Sequence, residues 1–316
     1  MRSHLASVTP IDPNHRRAPA DDDRQLLDTD KGFLGIGRSL TFPFPQWRAN
    51  DRYRTVYFDE GEGPPLVMVH GLGANATHWE KIAEPLSKKY RVIGLDLVGL
   101  GWSEKPNVPY DIPMLRDHLL EFLDDRGIRN ATLLGHSLGG AVCLAAALQR
   151  PAQFDGLVLV CAAGVAPLPR WMRAAAPVFL HRRLLFATLG VTANFIVNNI
   201  FVDRPEENDN VRWFRESAMR DAKGWPNLME FTRVCETLCR DVIGRDYRPH
   251  FPSMQLPVMA LWGDTDKLTT LPGVLRSLNA IRRVRTVILE RTGHMPMIER
   301  PEEFIFHLER FIKNPP

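Results

Sequence analysis

Six residues, Gly135-His136-Ser137-Leu138-Gly139-Gly140, constrain the fold of this chain more than any other stretch. Before them stands Ala131-Thr132-Leu133-Leu134, a short apolar run of strand type. After them comes Ala141-Val142-Cys143-Leu144-Ala145-Ala146-Ala147-Leu148, dense in helix formers. Ser137 therefore sits where a strand turns sharply into a helix. Glycine two positions before and two after leaves room where a side chain would collide with neighbouring backbone. The turn holds the serine in a strained conformation with its hydroxyl above the sheet edge. The free N–H groups and dipole of the following helix favour negative charge developing there. For such a motif standing alone, a tight turn with an incidental serine is the plain alternative.

The flanking pattern removes much of that ambiguity. Arg52-Tyr53-Arg54-Thr55-Val56-Tyr57-Phe58 alternates as a strand and is turned by Glu60-Gly61-Glu62-Gly63-Pro64. Leu66-Val67-Met68-Val69 is a run suited to a strand buried on both faces, ending in His70-Gly71-Leu72-Gly73-Ala74. A helical pattern over 77–89, a buried strand at Arg91-Val92-Ile93-Gly94-Leu95-Asp96 and an amphipathic helix over 114–125, closed by Gly127, follow in turn. Further buried strands read at Gly156-Leu157-Val158-Leu159-Val160-Cys161, Pro257-Val258-Met259-Ala260-Leu261-Trp262 and Thr286-Val287-Ile288-Leu289, before a last helix over 301–312. This alternation predicts an α/β fold: a mostly parallel sheet with helices on both faces, joined by right-handed crossovers. On such sheets ligands bind outside the carboxyl ends of the strands, where His70, Asp96 and Ser137 all fall.

Between 166 and 251 the alternation stops, and helix-like stretches carry Trp171, Phe179, Phe186, Phe195, Phe201, Trp213, Phe214, Trp225 and Phe231. The expected organisation is an extension over 1–50, at least partly disordered, a core of 51–165 and 252–316, and a helical cap, or lid, over 166–251. Up to about Asp30 the chain holds too few large apolar groups to offset the entropy of ordering. The aromatics between Gly32 and Trp47 read as a segment packed along the core. The polar N-terminus lacks the apolar stretch of a secretory signal, and no apolar run reaches the ~20 residues of a membrane span, so a cytoplasmic location is expected.

The net charge of +3 and the lack of a basic stripe interleaved with aromatics exclude nucleic acid as a partner. The four cysteines, Cys143, Cys161, Cys235 and Cys239, have neither metal-ligand spacing nor the density of a disulfide framework. No G-x-G-x-x-G follows the first buried strand. The sequence thus calls for no metal and no nucleotide cofactor. Arg170, Arg173, Arg182 and Arg183 near Trp171 and Phe179 read first as a solvated helix face, and second as contact with an anionic lipid surface.

A serine hydroxyl is a weak nucleophile until a base takes its proton, and that base needs a partner to hold its tautomer. Asp266 follows one late strand and His294 the next, which gives the chain order serine, carboxylate, histidine. With these residues the chain resembles the α/β-hydrolase superfamily, in its serine-nucleophile, esterase- or lipase-like branch, from about Tyr53 to Phe311 outside the cap. Ser137 matches the nucleophile elbow, Asp266 the acid of Trp262-Gly263-Asp264-Thr265-Asp266, and His294 the Gly-His-x-Pro pattern. His70-Gly71 matches the turn after the third strand. The resemblance implies an oxyanion hole from the backbone N–H groups of Leu72 and Leu138, and a loop-bracing role for Asp96. Asp264, closer to its strand, reads as a brace rather than as the acid, while His70 should bond its own turn and His136 should point away from the hydroxyl.

A serine at the elbow excludes the aspartate chemistry of the related haloalkane dehalogenases and epoxide hydrolases. The first expectation is a carboxylic-ester hydrolase acting through an acyl-enzyme on a small or medium apolar substrate, with Trp171 and Phe214 lining the pocket. The alternatives are a carbon–carbon hydrolase of ring-fission products, in which asparagine commonly stands where this chain has His136, and a ligand-binding member with little turnover.

Overall fold

The computed structural model describes residues 46–49, 53–166, 180–202 and 228–316, with 173, 174 and 178 besides; at 46–49, 189–197 and 228–230 it describes the backbone only. Among the described residues, eight strands form one sheet: β1 (Gln46–Ala49), β2 (Arg54–Glu60), β3 (Pro65–Val69), β4 (Arg91–Leu95), β5 (Ala131–His136), β6 (Phe154–Val160), β7 (Val258–Gly263) and β8 (Val284–Leu289). Their order is β1-β2-β4-β3-β5-β6-β7-β8. The six from β4 to β8 run parallel, while β1 and β2 form an antiparallel edge. The apolar runs of β3, β5 and β7 are buried nearly throughout, because helices cover both faces of a parallel sheet.

The helices are α1 (Glu80–Ser87), α2 (Ile112–Asp125), α3 (Leu138–Gln149), α4 (Arg182–Ile200), α5 (Leu228–Gly244), α6 (Leu271–Leu278), α7 (Pro296–Glu299) and α8 (Pro301–Lys313). Capping fixes α2: the Asp111 side chain accepts the Met114 N–H at 2.8 Å, Pro113 occupies the first turn, and Gly127 turns the chain out at φ 61°. Every residue of α3 from Leu138 to Ala147 is buried. This helix, apolar all round, forms the middle of the core with α2 and the strands above it.

The cap insertion lies between β6 and β7, with α4 and α5 as its described helices. Val234 and Leu238 of α5 are fully buried in the main core, and the N–H of Arg182 donates to the Glu236 carboxylate at 3.0 Å, tying the start of α4 to α5. The sheet begins before the expected core boundary at 51: β1 pairs with β2 over Gln46↔Tyr57 to Ala49↔Arg54. A four-residue edge strand is too short for alternation to declare it. Residues 1–45, with the expected disorder and the packing of 32–45, lie outside the described residues, as do Trp171 and Phe214. Among the described residues, no helix is long and apolar enough to cross a membrane.

Candidate active site

Because β3 to β8 run parallel, the residues that follow them meet along one edge. Ser137 follows β5 with φ 51° and ψ −116°, a region non-glycine residues seldom enter. Hydrogen bonds hold it there. Its N–H donates to the Val160 carbonyl at 3.0 Å, and its own carbonyl accepts the N–H groups of Gly140 at 3.0 Å and Ala163 at 2.9 Å. The flanking glycines are steric necessities: a Cβ on Gly135 would stand 2.5 Å from the Gly139 carbonyl oxygen, and one on Gly139 would stand 2.2 Å from that of Val69. Tight packing of the elbow against β3 also brings in the turn after that strand, where a Cβ on Gly71 would lie 3.1 Å from that of Ser137. Leu72 follows in the same turn, and Leu138 opens α3.

His70 fixes that turn. Its Nδ1–H donates to the Gly71 carbonyl at 2.8 Å, and its Nε2 accepts the Leu97 N–H at 3.0 Å. A neutral ring satisfies both bonds, and burial lowers its pKa to about 4. Asp96 is buried and braced: Oδ1 accepts the Ala76 N–H at 2.7 Å and Oδ2 the Trp102 N–H at 2.8 Å. Burial pushes its carboxyl up to about 6 against the pull of those bonds.

His294, after β8, donates its Nδ1–H to Asp266 Oδ2 at 2.9 Å, and both side chains are buried. Asp266 also accepts the N–H groups of Leu268 at 2.8 Å and Thr269 at 3.1 Å, and the Thr269 hydroxyl at 2.5 Å. Burial alone would raise its pKa, but His294 and these donors overcome it and lower it to about 2. Asp266 therefore stays ionised, and the bond it accepts leaves Nε2 of His294 as the basic nitrogen. The exposed Asp264 is spent on the Thr292 N–H at 3.1 Å. Asp241 accepts the Ile112 N–H at 2.8 Å and a bidentate pair from Arg245.

His136 turns from the serine to the histidine loop, donating its Nε2–H to the His294 carbonyl at 2.9 Å. The two rings lie 4.9 Å apart, and burial followed by the nearby His294 drives the pKa of His136 well down. Sequence reasoning missed Cys161. Its Sγ, Asp266 and His294 place ligating atoms within 4.8 Å of one another, a grouping that residues from the ends of β6, β7 and β8 cannot announce by spacing. Asp266 Oδ2 and His294 Nδ1 are already partners, and the buried thiol is pushed up by burial and then by the Asp266 charge. All four cysteines are free thiols.

A parallel sheet with a strained serine after β5, an ionised aspartate after β7 and a histidine after β8 defines a hydrolase scaffold of the acid–histidine–serine class. The model of the α/β hydrolase fold family matches residues 64–301, and the chain belongs to that family. It is 35% identical over 259 residues to 2-hydroxymuconate semialdehyde hydrolase of Pseudomonas sp. (strain CF600), covering 79% of this chain and 87% of that one. To pimeloyl-[acyl-carrier protein] methyl ester esterase of Aeromonas hydrophila it is 28% identical, covering 80% and 96%. Among solved structures it resembles a membrane phospholipase A, described as a bacterial virulence factor, with TM-score 0.71 and 27% identity over 85% of this chain and 86% of that one.

Proposed function

We propose that this chain is a serine hydrolase that cleaves carboxylic esters of small or medium apolar substrates through an acyl-enzyme. The 2.9 Å bond from His294 to an ionised Asp266, at the sheet edge that carries Ser137, is the observation on which the proposal stands. In this reading His294 Nε2 takes the Ser137 proton as Oγ attacks the ester carbonyl carbon, and the N–H groups of Leu72 and Leu138 bind the resulting oxyanion. The imidazolium then protonates the departing alkoxide. Water, deprotonated by the same nitrogen, hydrolyses the acyl-enzyme and restores Ser137. The cap, with Trp171 and Phe214, is proposed to line an apolar acyl pocket.

The relative at 35% identity supports a second reading, carbon–carbon hydrolysis of a ring-fission dienoate, by the same three residues. Turnover of esters with acyl chains from two to sixteen carbons, alongside one such dienoate, separates the two. The ester reading expects ester turnover to exceed dienoate turnover; the reverse order, or binding without turnover of either, would overturn it.

A further inference from the structure

Resting on the reading of His294 as the base, this inference concerns what holds its backbone. The N–H of His294 donates to the carbonyl of Ile200, the last residue of cap helix α4, at 2.6 Å. The N–H groups on either side, Gly293 at 2.9 Å and Met295 at 3.3 Å, both donate to Oε1 of Glu299. The other oxygen of the same carboxylate accepts the N–H of Val202 at 3.0 Å, two residues beyond Ile200. Glycine at 293 follows from this contact, since a Cβ there would lie 2.5 Å from the Ile200 oxygen and 3.1 Å from Phe201 Cα. Ile200 and Phe201 are buried, and on the acid's side Lys267 donates to Asn199 Oδ1 at 3.2 Å. The end of α4 thus touches the loops of both Asp266 and His294.

We infer that Glu299 is a positioning residue that clamps the backbone of His294 to the carboxyl end of the cap helix, so that the aim of the imidazole depends on where that helix sits. A carboxylate suits the task because it accepts on both oxygens, whereas an amide of the same shape accepts on one and turns an N–H₂ toward the other donors. Any displacement of the end of α4 reaches the His294 backbone by two routes, directly through the Ile200 carbonyl and indirectly through the Glu299 carboxylate that holds Gly293 and Met295.

The test compares Glu299→Gln with Val202→Pro, which removes the cap-side donor and puts a ring carbon where its hydrogen met the Glu299 carboxylate; Phe201, at ψ 153°, already has the extended backbone a following proline requires. Short-chain ester kinetics, thermal melting, fluorophosphonate labelling rate and the downfield Nδ1–H proton resonance of His294, identified by its loss in His294→Ala, are read for each. Glu299→Gln should lower kcat on the order of 10–100-fold with KM little changed, as expected for a misaligned base, and should shift or broaden the resonance. Val202→Pro should do the same to a smaller degree. Wild-type kcat and resonance in both variants, or a lowered melting temperature with the resonance unmoved, would overturn the inference. Should Glu299→Gln fail to fold, the resonance in Val202→Pro decides alone. If the wild type cleaves no ester, the proposed function fails, while labelling rate and resonance still decide on Glu299.

Discussion

Asp266 and His294 are joined by a 2.9 Å hydrogen bond from Nδ1 to Oδ2, and the same carboxylate oxygen takes the Thr269 hydroxyl at 2.5 Å. Its other oxygen takes the N–H groups of Leu268 and Thr269, so both oxygens are held by the loop and the orientation of His294 follows from the fold.

Asp266→Asn should therefore cost far more turnover than Asp264→Asn. The amide can present its N–H₂ where the His294 ring must donate, which favours the wrong tautomer, and in the template triad such a change costs about 10⁴-fold. Among the described residues Asp264 holds only the Thr292 N–H, so its amide should lose little. Steady-state kinetics of the two purified variants check this; equal losses would reassign the acid.

Gly139→Ala should damage folding and chemistry together. The added methyl meets the carbonyl oxygens of Val69 and His70 at 2.2 and 2.5 Å, so β3 and its turn have to move. Overpacking of this kind costs about 1–3 kcal/mol or more. Urea denaturation gives the stability change, and a variant as stable as wild type would show that the elbow can relax.

Stability should fall on acidification from about pH 6.5 to 4. Burial lowers His70 to about 4 and His78 to about 3, and it also drives His136 down. In the unfolded chain these rings titrate near 6.5, so across that window the unfolded state binds more protons and acid favours it. For His70 alone the shift corresponds to roughly 3 kcal/mol. Asp96, raised to about 6, works in the opposite sense between 6 and its ordinary value, and the histidines outnumber it. Denaturant midpoints at pH 6.5 and 4.5 measure the slope, and a flat or rising stability toward acid would contradict it.

Turnover should rise with acyl length until the proposed cap pocket is full, each buried methylene improving the specificity constant by up to about 0.8 kcal/mol. Trp171→Ala and Phe214→Ala should shift that profile and leave serine labelling intact. A sharp preference for acetate with steady loss on lengthening would remove the apolar pocket.

The parts of the site that follow from local sterics were legible in the chain. Gly135 and Gly139 announce the elbow because no other residue fits there, and the short apolar runs of β3, β5 and β7, bounded by turn signals, suit strands buried on both faces. What depends on distant backbone was not legible. Glu299 reads as an ordinary acid before the last helix, and its use emerges only when Val202, 97 positions away, donates to its second carboxylate oxygen. Cys161 reaches the acid–histidine pair by strand order rather than by spacing. Helix α6 went unanticipated because Leu271-Pro272-Gly273 opens it with two poor helix formers, although proline suits a first turn.

The central claim, that Ser137 is a nucleophile activated by His294, is tested most directly by labelling with a fluorophosphonate and mapping the modified peptide. The account predicts a single adduct on Ser137, absent in Ser137→Ala and slowed strongly in His294→Ala, with ester turnover lost in both variants and no further loss when they are combined. An adduct that persists in Ser137→Ala, or turnover that survives there, would contradict it.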